Sequence, residues 1–390
     1  MYNRIFISCL LLLILFACKN EDKKPADTGA STKDSLSEKQ SLTDTYFFKT
    51  MEGTIAGKPV VMHIVKAADR IDANYYYVEQ GQTIFLTRNW EKTSGDSVYL
   101  IEITNITSGK SPSLAMAISA DGIKGTWTSG DATTSYPIDL KESAIQPSIN
   151  VVAIGAVDSA QYLKFKKDTP TLKTAVSVIA AADENQAWLN EKVKGFLGAG
   201  SKGDSPGLPM QQVVNNKVKQ AVDGYGAEVD SSIVGIADDG PHYFLNREYE
   251  AIGNVLFNQN GYLVLSMYSY AYTGGAHGNY GTSMYCFDVT AKKQLSLGDL
   301  LSIDSTTMQQ LLEQHYRKQY AVPASTPLNT RLFVKKLEPN NNFYFSPKGL
   351  GFSYAPYEIA SYADGEIKVW IPFAELKPYL NADFVKRMQL

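Results

Sequence analysis

The chain has 390 residues, 37 Lys and Arg against 40 Asp and Glu, a formal net charge of -3 and 44% hydrophobic residues. Those values describe a globular protein large enough for two or three domains. They give no basic field for a phosphate backbone, no Lys/Arg-rich run appears, and nucleic-acid binding is excluded as a function class.

Arg4 precedes the apolar run Ile5 to Phe16, and Leu15-Phe16-Ala17-Cys18 closes it. Charged start, short apolar core and small-residue cleavage site read as a bacterial secretory signal over residues 1–17. A membrane helix needs about 20 apolar residues, so cleavage and acylation of Cys18 explain the run better than a retained anchor. The expectation is a lipoprotein of the cell envelope, tied to the outer membrane through the lipid on Cys18, on its periplasmic face or at the cell surface. Residues 18–45 are polar and charged and read as a disordered tether. Their start, Lys19-Asn20-Glu21-Asp22, resembles the lysine-plus-acid signal of surface-exported lipoproteins.

Residues 46–145 read as a small antiparallel β domain, a meander or barrel. Short strands at Gly53-Thr54-Ile55, Val60 to Val65, Tyr75 to Val78, Thr83 to Leu86 and Val98 to Ile103 alternate with Gly, Asp and Asn turns, and Ile123 to Trp127 and Tyr136 to Leu140 close the unit. The Gly-x-Ile, Tyr-Tyr-Tyr and Gly-Thr-Trp grammar resembles a β domain found N-terminally in many envelope lipoproteins.

Beyond Ile145-Gln146-Pro147 helices alternate with strands, so residues 146–390 read as α+β. An opening strand region near Tyr162 to Val178 leads to two helices. One starts at Asp183 and Glu184, buries Trp188, Leu189, Val193, Phe196 and Leu197, and stops at Gly198. The other starts at Pro209, turns Val213, Val214, Val218, Ala221 and Val222 inward, and ends at Gly224. The glycine spacing from Gly198 to Gly203 matches a dinucleotide fingerprint but has a helix before it and Asp204-Ser205-Pro206 after it, so it reads as a loop. Long strands, Tyr249 to Phe257 and Tyr262 to Tyr272, flank an Asn260-Gly261 hairpin and predict an antiparallel sheet. A capped helix over Ser305 to Tyr320, a hairpin around Pro347-Lys348-Gly349, a strand at Ile367 to Ile371 and a short C-terminal helix complete the chain.

Cys286, in the strand-like Ser283-Met284-Tyr285-Cys286-Phe287, reads as a buried apolar thiol rather than a nucleophile. Asp238-Asp239-Gly240-Pro241-His242 reads as turn chemistry before an acid-base or metal site, and Glu358 with Asp364 as turn residues before a carboxylate pair. Gly274-Gly275-Ala276-His277-Gly278 admits two readings: a glycine nest presenting amides to an anion beside an imidazole, or a strand bulge in which small residues allow positive φ and His277 meets a neighbouring carbonyl.

Tyr272-Thr273-Gly274-Gly275-Ala276-His277-Gly278, Phe287-Asp288-Val289, Leu297-Gly298-Asp299-Leu300-Leu301, Tyr354-Ala355-Pro356-Tyr357-Glu358-Ile359-Ala360, Tyr362-Ala363-Asp364-Gly365 and Ile371-Pro372-Phe373 occur in this order. Together they resemble the extracellular domain of lysozyme-sensing anti-sigma factors (RsiV-like) and the accessory region of peptidoglycan deacetylases (PdaC-like). The resemblance spans about Val151 to Leu390, PdaC-like over 146–245 and RsiV-like over 246–390. It implies a binding domain with a protein or glycan ligand, lysozyme or peptidoglycan, and candidate contacts at Tyr272, Gly274, Gly275, His277, Gly278, Tyr357 and Glu358. Deacetylase chemistry needs a metal held by Asp and two His at helical spacing, whereas His63, His242, His277 and His315 are isolated. A sensor needs a transmembrane helix and a cytoplasmic segment, and neither is read here. Neither activity is carried over, and no metal or cofactor is expected. Two further readings stay open: an envelope hydrolase using His277 with a carboxylate such as Asp288 or Glu358, and a structural subunit whose Tyr-rich strands pair with another chain.

Overall fold

Leu114, Met116 and Ile118 are buried while Ala115 and Ala117 are exposed, the alternation that an antiparallel sheet with one dry and one wet face requires. The computed structural model describes residues 40–89, 97–103, 110–165, 169–198, 207–233 and 242–390. Its first eight strands are β1 (Tyr46–Ile55), β2 (Lys58–Ala67), β3 (Arg70–Tyr77), β4 (Ile84–Arg88), β5 (Ser97–Glu102), β6 (Ser113–Ser119), β7 (Gly122–Thr128) and β8 (Ser135–Glu142). They form an antiparallel closed barrel, sealed where β1 pairs with β8. The seam needs Gly53: a Cβ there would sit 1.9 Å from the Asp139 carbonyl oxygen. Glu102 enters this interior satisfied, accepting from the Tyr75 hydroxyl at 2.7 Å and the Trp127 indole at 2.6 Å.

The remaining chain is α+β. It comprises β9 (Val151–Gln161), β10 (Thr171–Ala181), α1 (Ala187–Phe196), α2 (Met210–Ser232), β11 (Arg247–Gln259), β12 (Tyr262–Tyr272), β13 (Asn279–Asp288), β14 (Lys293–Gln294), α3 (Leu297–Leu300), α4 (Ser305–Gln319), β15 (Phe343–Ser346), β16 (Gly349–Tyr354), β17 (Ile367–Pro372), α5 (Phe373–Leu376) and α6 (Ala382–Met388). One sheet runs β14-β13-β12-β11-β10-β9 and a second β15-β16-β17. Leu189, Val193, Met210 and Val214 from α1 and α2 pack with Val178, Ile179, Val255 and Leu265 of the large sheet. On the other side Val264, Met284 and Cys286 share a core with α4 and the small sheet.

Three expectations change. The large sheet is mixed, because β10 and β11 run parallel from Leu172↔Arg247 to Ser177↔Ile252; the long connection through α1 and α2 lets the chain return in the same direction. The opening strand region is two antiparallel strands, β9 and β10, and Tyr162 lies in the turn between them. Helix α2 does not end at Gly224 but continues through Gly224 and Gly226 to Ser232. Burial of Tyr225 and Val229 beside Leu172 and Leu245 outweighs two glycines costing about 1 kcal/mol each.

Strand β2 reads Lys58-Pro59-Val60-Val61-Met62-His63-Ile64-Val65 without alternation because both its faces are covered. Val60, Met62 and Ile64 line the barrel, while Val65 packs against the α+β part. On β3 the outward residues Arg70, Asp72, Asn74 and Tyr76 form the second half of this junction. Asn74 donates to the Val255 carbonyl at 2.8 Å, Asn254 donates to Asp72 at 2.6 Å, and Arg70 reaches both Glu248 and Glu250. Lys348 closes the far end by donating to the Glu79 carbonyl at 2.7 Å. All described residues fall in one compact unit. Among them no helix is long and apolar enough to cross a membrane. Cys18 and Asp238 to Pro241 lie outside the described residues, as does the 198–203 loop beyond Gly198.

Candidate functional site

Tyr268, Tyr270 and Tyr272 stand at alternate positions of β12 and so point to one face of the sheet. Tyr280 of β13 lies opposite Tyr270, and Glu248 of β11 opposite Tyr272. Burial raises the phenol pKa values of Tyr268, Tyr270 and Tyr280, so these hydroxyls remain protonated donors at neutral pH.

Residues 273–278 connect β12 to β13. They are a turn, not a bulge inside a strand; the register shift between β11 and β12 lies in β11, between Val255 and Phe257. Gly274 adopts φ +92° and approaches the Phe244 carbonyl so closely that a Cβ would sit 2.4 Å from its oxygen. Gly278 is buried against Tyr270, whose ring lies 2.5 Å from where a Cβ would be. The Tyr272 hydroxyl donates to the Gly275 carbonyl at 3.1 Å, and His277 Nδ1 meets the Gly278 carbonyl at 2.9 Å.

A second loop, between β16 and β17, folds onto this turn. Tyr362 donates to the Gly278 carbonyl at 2.6 Å and stacks on His277 with ring centroids 3.9 Å apart. Tyr280 meets Tyr362 edge-on at 5.7 Å, and Tyr357 lies 5.6 Å from Tyr362. Tyr357 is 55% exposed and held at φ +69°, a left-handed conformation that costs a non-glycine residue roughly 1–2 kcal/mol. Its loop is braced by Glu358, which accepts from the Ala355 amide at 2.8 Å and from Asn340 at 2.9 Å. Asp364 accepts from the Ser361 amide and hydroxyl instead of pairing with Glu358.

The structure therefore brings Tyr272, Gly274, Gly275, His277, Gly278, Tyr357 and Glu358 to one end of the large sheet. It adds Tyr270, Tyr280 and Tyr362, which were not among the candidate contacts, although Tyr362 stands in one of the quoted motifs and the i, i+2 spacing of the tyrosines on β12 was visible in the sequence. Behind Tyr280 and the 363–366 segment lies a cleft of about 380 Å³, lined also by Tyr316, Tyr320, Arg331 and Lys368.

His277 is not paired with Asp288. His277 lies just before β13 and Asp288 ends it, with a strand of roughly 30 Å at about 3.4 Å per residue between them, and Asp288 is held by Arg387 at 2.6 Å. His63, His242 and His315 are elsewhere: His63 is buried beside Phe48 on the outer face of the barrel, His242 stacks on Phe165 and His315 meets Glu375. Among the described residues no group of three His, Cys, Asp or Glu is placed to hold a metal. Cys286 is buried with its thiol against the Phe343 carbonyl, and burial pushes its pKa far up, which suppresses the nucleophilic thiolate. What the arrangement offers chemically is an amphipathic group of rings, hydroxyls and carbonyls.

Fold and site together define an α+β domain joined to a β-barrel. Residues 140–280 match the family model described as Deacetylase PdaC, and residues 299–374 match one described as a protein of unknown function (DUF3298). A solved DUF3298 protein from Bacteroides fragilis is 21% identical, covering 62% of this chain and 98% of its own at a TM-score of 0.53. It shows that the fold is shared. A DUF3298 protein from Pseudomonas aeruginosa is 15% identical, with 60% of this chain and 96% of its own covered at a TM-score of 0.41. No curated protein matches the chain.

Proposed function

We propose that the protein is a non-enzymatic binding module of the cell envelope, anchored through a lipid on Cys18, that holds an envelope glycan on the surface formed by Tyr357, Tyr362 and His277. The observation that carries this reading is Tyr357. A large aromatic held in a strained backbone conformation and left half in water contributes nothing to the core, and a stacking surface for sugar rings is the use that suits it. The match to the PdaC model supports an envelope setting. Lysozyme is the protein ligand the same surface would take, since Tyr is also enriched where proteins meet.

Titrating the purified protein with soluble peptidoglycan fragments and, separately, with lysozyme tests this. Saturable fragment binding, weakened at least tenfold by Tyr357→Gly with no loss of melting temperature, is the expected result. Binding to lysozyme alone would move the ligand class to protein. No binding to either would overturn the reading.

A further inference from the structure

A second concave site lies at the other end of the barrel junction, away from the tyrosine surface. It is about 630 Å³, within the range of roughly 300–1,000 Å³ typical of pockets that hold small molecules. One wall is apolar: Trp370, Pro372, Phe373, Ala374 and Leu390. The other is the barrel turn carrying Gln80 and Gln82.

This shape is built by close packing, which makes it a preformed groove open to solvent. Gly81, at φ +65°, sits so near Lys348 that a Cβ would lie 2.7 Å from its Cγ, and Gly349 is pressed on Trp370, with 2.3 Å to the indole carbons. The indole is fixed further by donating to Ser346 at 3.0 Å. The charged side chains in the lining are Lys348 and Lys377, both cationic; Leu390, the last residue, adds an α-carboxylate, so two positive groups stand against one negative. Lys348 uses one proton on the Glu79 carbonyl and keeps two. Lys377 is exposed and has no acidic partner among the described residues.

An apolar pocket with a net positive rim discriminates by charge sign as well as by hydrophobicity, because the two lysines outweigh the single terminal carboxylate and favour an anionic head while the wall takes the tail. The geometry points to a binding site for an amphiphilic anion of the long-chain carboxylate class. The site needs barrel and α+β part together, since each supplies one wall. It is independent of the glycan surface.

The test is calorimetric titration of the intact protein with dodecanoate below its micellar concentration, alongside dodecanol and vesicles of phosphatidylglycerol. One saturable dodecanoate site is expected, at least tenfold tighter than dodecanol. Lys377→Glu should weaken it at least tenfold, and Ala374→Trp, at an exposed position, should abolish it by filling the pocket. Tyr357→Gly should leave it unchanged. Equal affinity for dodecanol and dodecanoate, full binding by Lys377→Glu, or a response to vesicles without one to free dodecanoate would overturn the proposal. Because Lys377→Glu adds no bulk, it decides the matter even where Ala374→Trp fails to fold.

Discussion

Replacing Asp72 with asparagine should make the protein more stable at neutral pH, although it removes a carboxylate from a polar junction. Burial against the α+β part raises the Asp72 carboxyl from 3.8 to about 6, outweighing the hydrogen bond from Asn254 and the attraction of Lys368, both of which pull it down. A raised carboxyl pKa means that the folded state holds its proton longer than the unfolded one. Stability therefore falls as pH rises from about 3.8 to about 6 and stays lower above that window. A shift of about two units corresponds to roughly 3 kcal/mol, and screening of this partly exposed side chain brings it to about 2 kcal/mol. The amide of the variant would keep an oxygen for Asn254 to donate to while carrying no charge. With an unfolding entropy of about 2.1 cal/mol/K per residue over roughly 350 residues, the gain is about 3 °C in melting temperature. Calorimetric unfolding of both proteins from pH 4 to 8 should show D72N higher by that amount at pH 7.5 and the two converging near pH 4. Glu250, raised to about 7 mainly by burial against the pull of Arg70, leaves a residual downward slope to neutral pH in both. A D72N melting temperature below the parent at pH 7.5 would refute the reasoning, because the Lys368 attraction would then exceed the desolvation cost.

Gly53→Ala should cost at least about 1–3 kcal/mol and broaden unfolding, since its methyl would overlap the Asp139 carbonyl at the barrel seam; urea titration measures it, and an unchanged midpoint would mean that the seam can open. Cys286 should stay unreactive to a disulfide dye until the protein is unfolded, because burial keeps it a thiol; stoichiometric labelling of the native protein would contradict its placement. Tyr357→Gly should be no less stable than the parent by thermal melting, as glycine relieves the left-handed strain; a clear loss would show that Tyr357 packs structurally.

Much of this was legible in the chain. The barrel strands announce themselves by alternation, as in Ser113–Ser119, and the Asn260-Gly261 hairpin by its turn chemistry. The seam between β1 and β8 was not, because no local signal says that the first and last strands of the barrel will pair. The parallel β10–β11 pair was hidden for the same reason, and the end of α2 was misplaced because local glycine propensity yields to distant burial of Tyr225. At the candidate site, the turn 273–278 and the 354–365 loop were visible separately as motifs. Their meeting through His277 and Tyr362 depends on long-range packing of the two sheets, which sequence spacing does not encode.

The junction also sets an order of events during synthesis. All eight barrel strands have been made by Glu142, so the barrel can close early, but the partners of its outer face come much later: Val255 for Asn74 is 181 residues away, and Lys348 is 269 residues from Glu79. Closing such distant contacts is slow relative to local pairing. Between those moments the barrel carries an uncovered flank holding Val61, His63, Val65 and Tyr76. A folding intermediate of this kind is prone to self-association, and the polar Arg70, Asp72 and Asn74 beside that flank keep it wettable until the second half arrives.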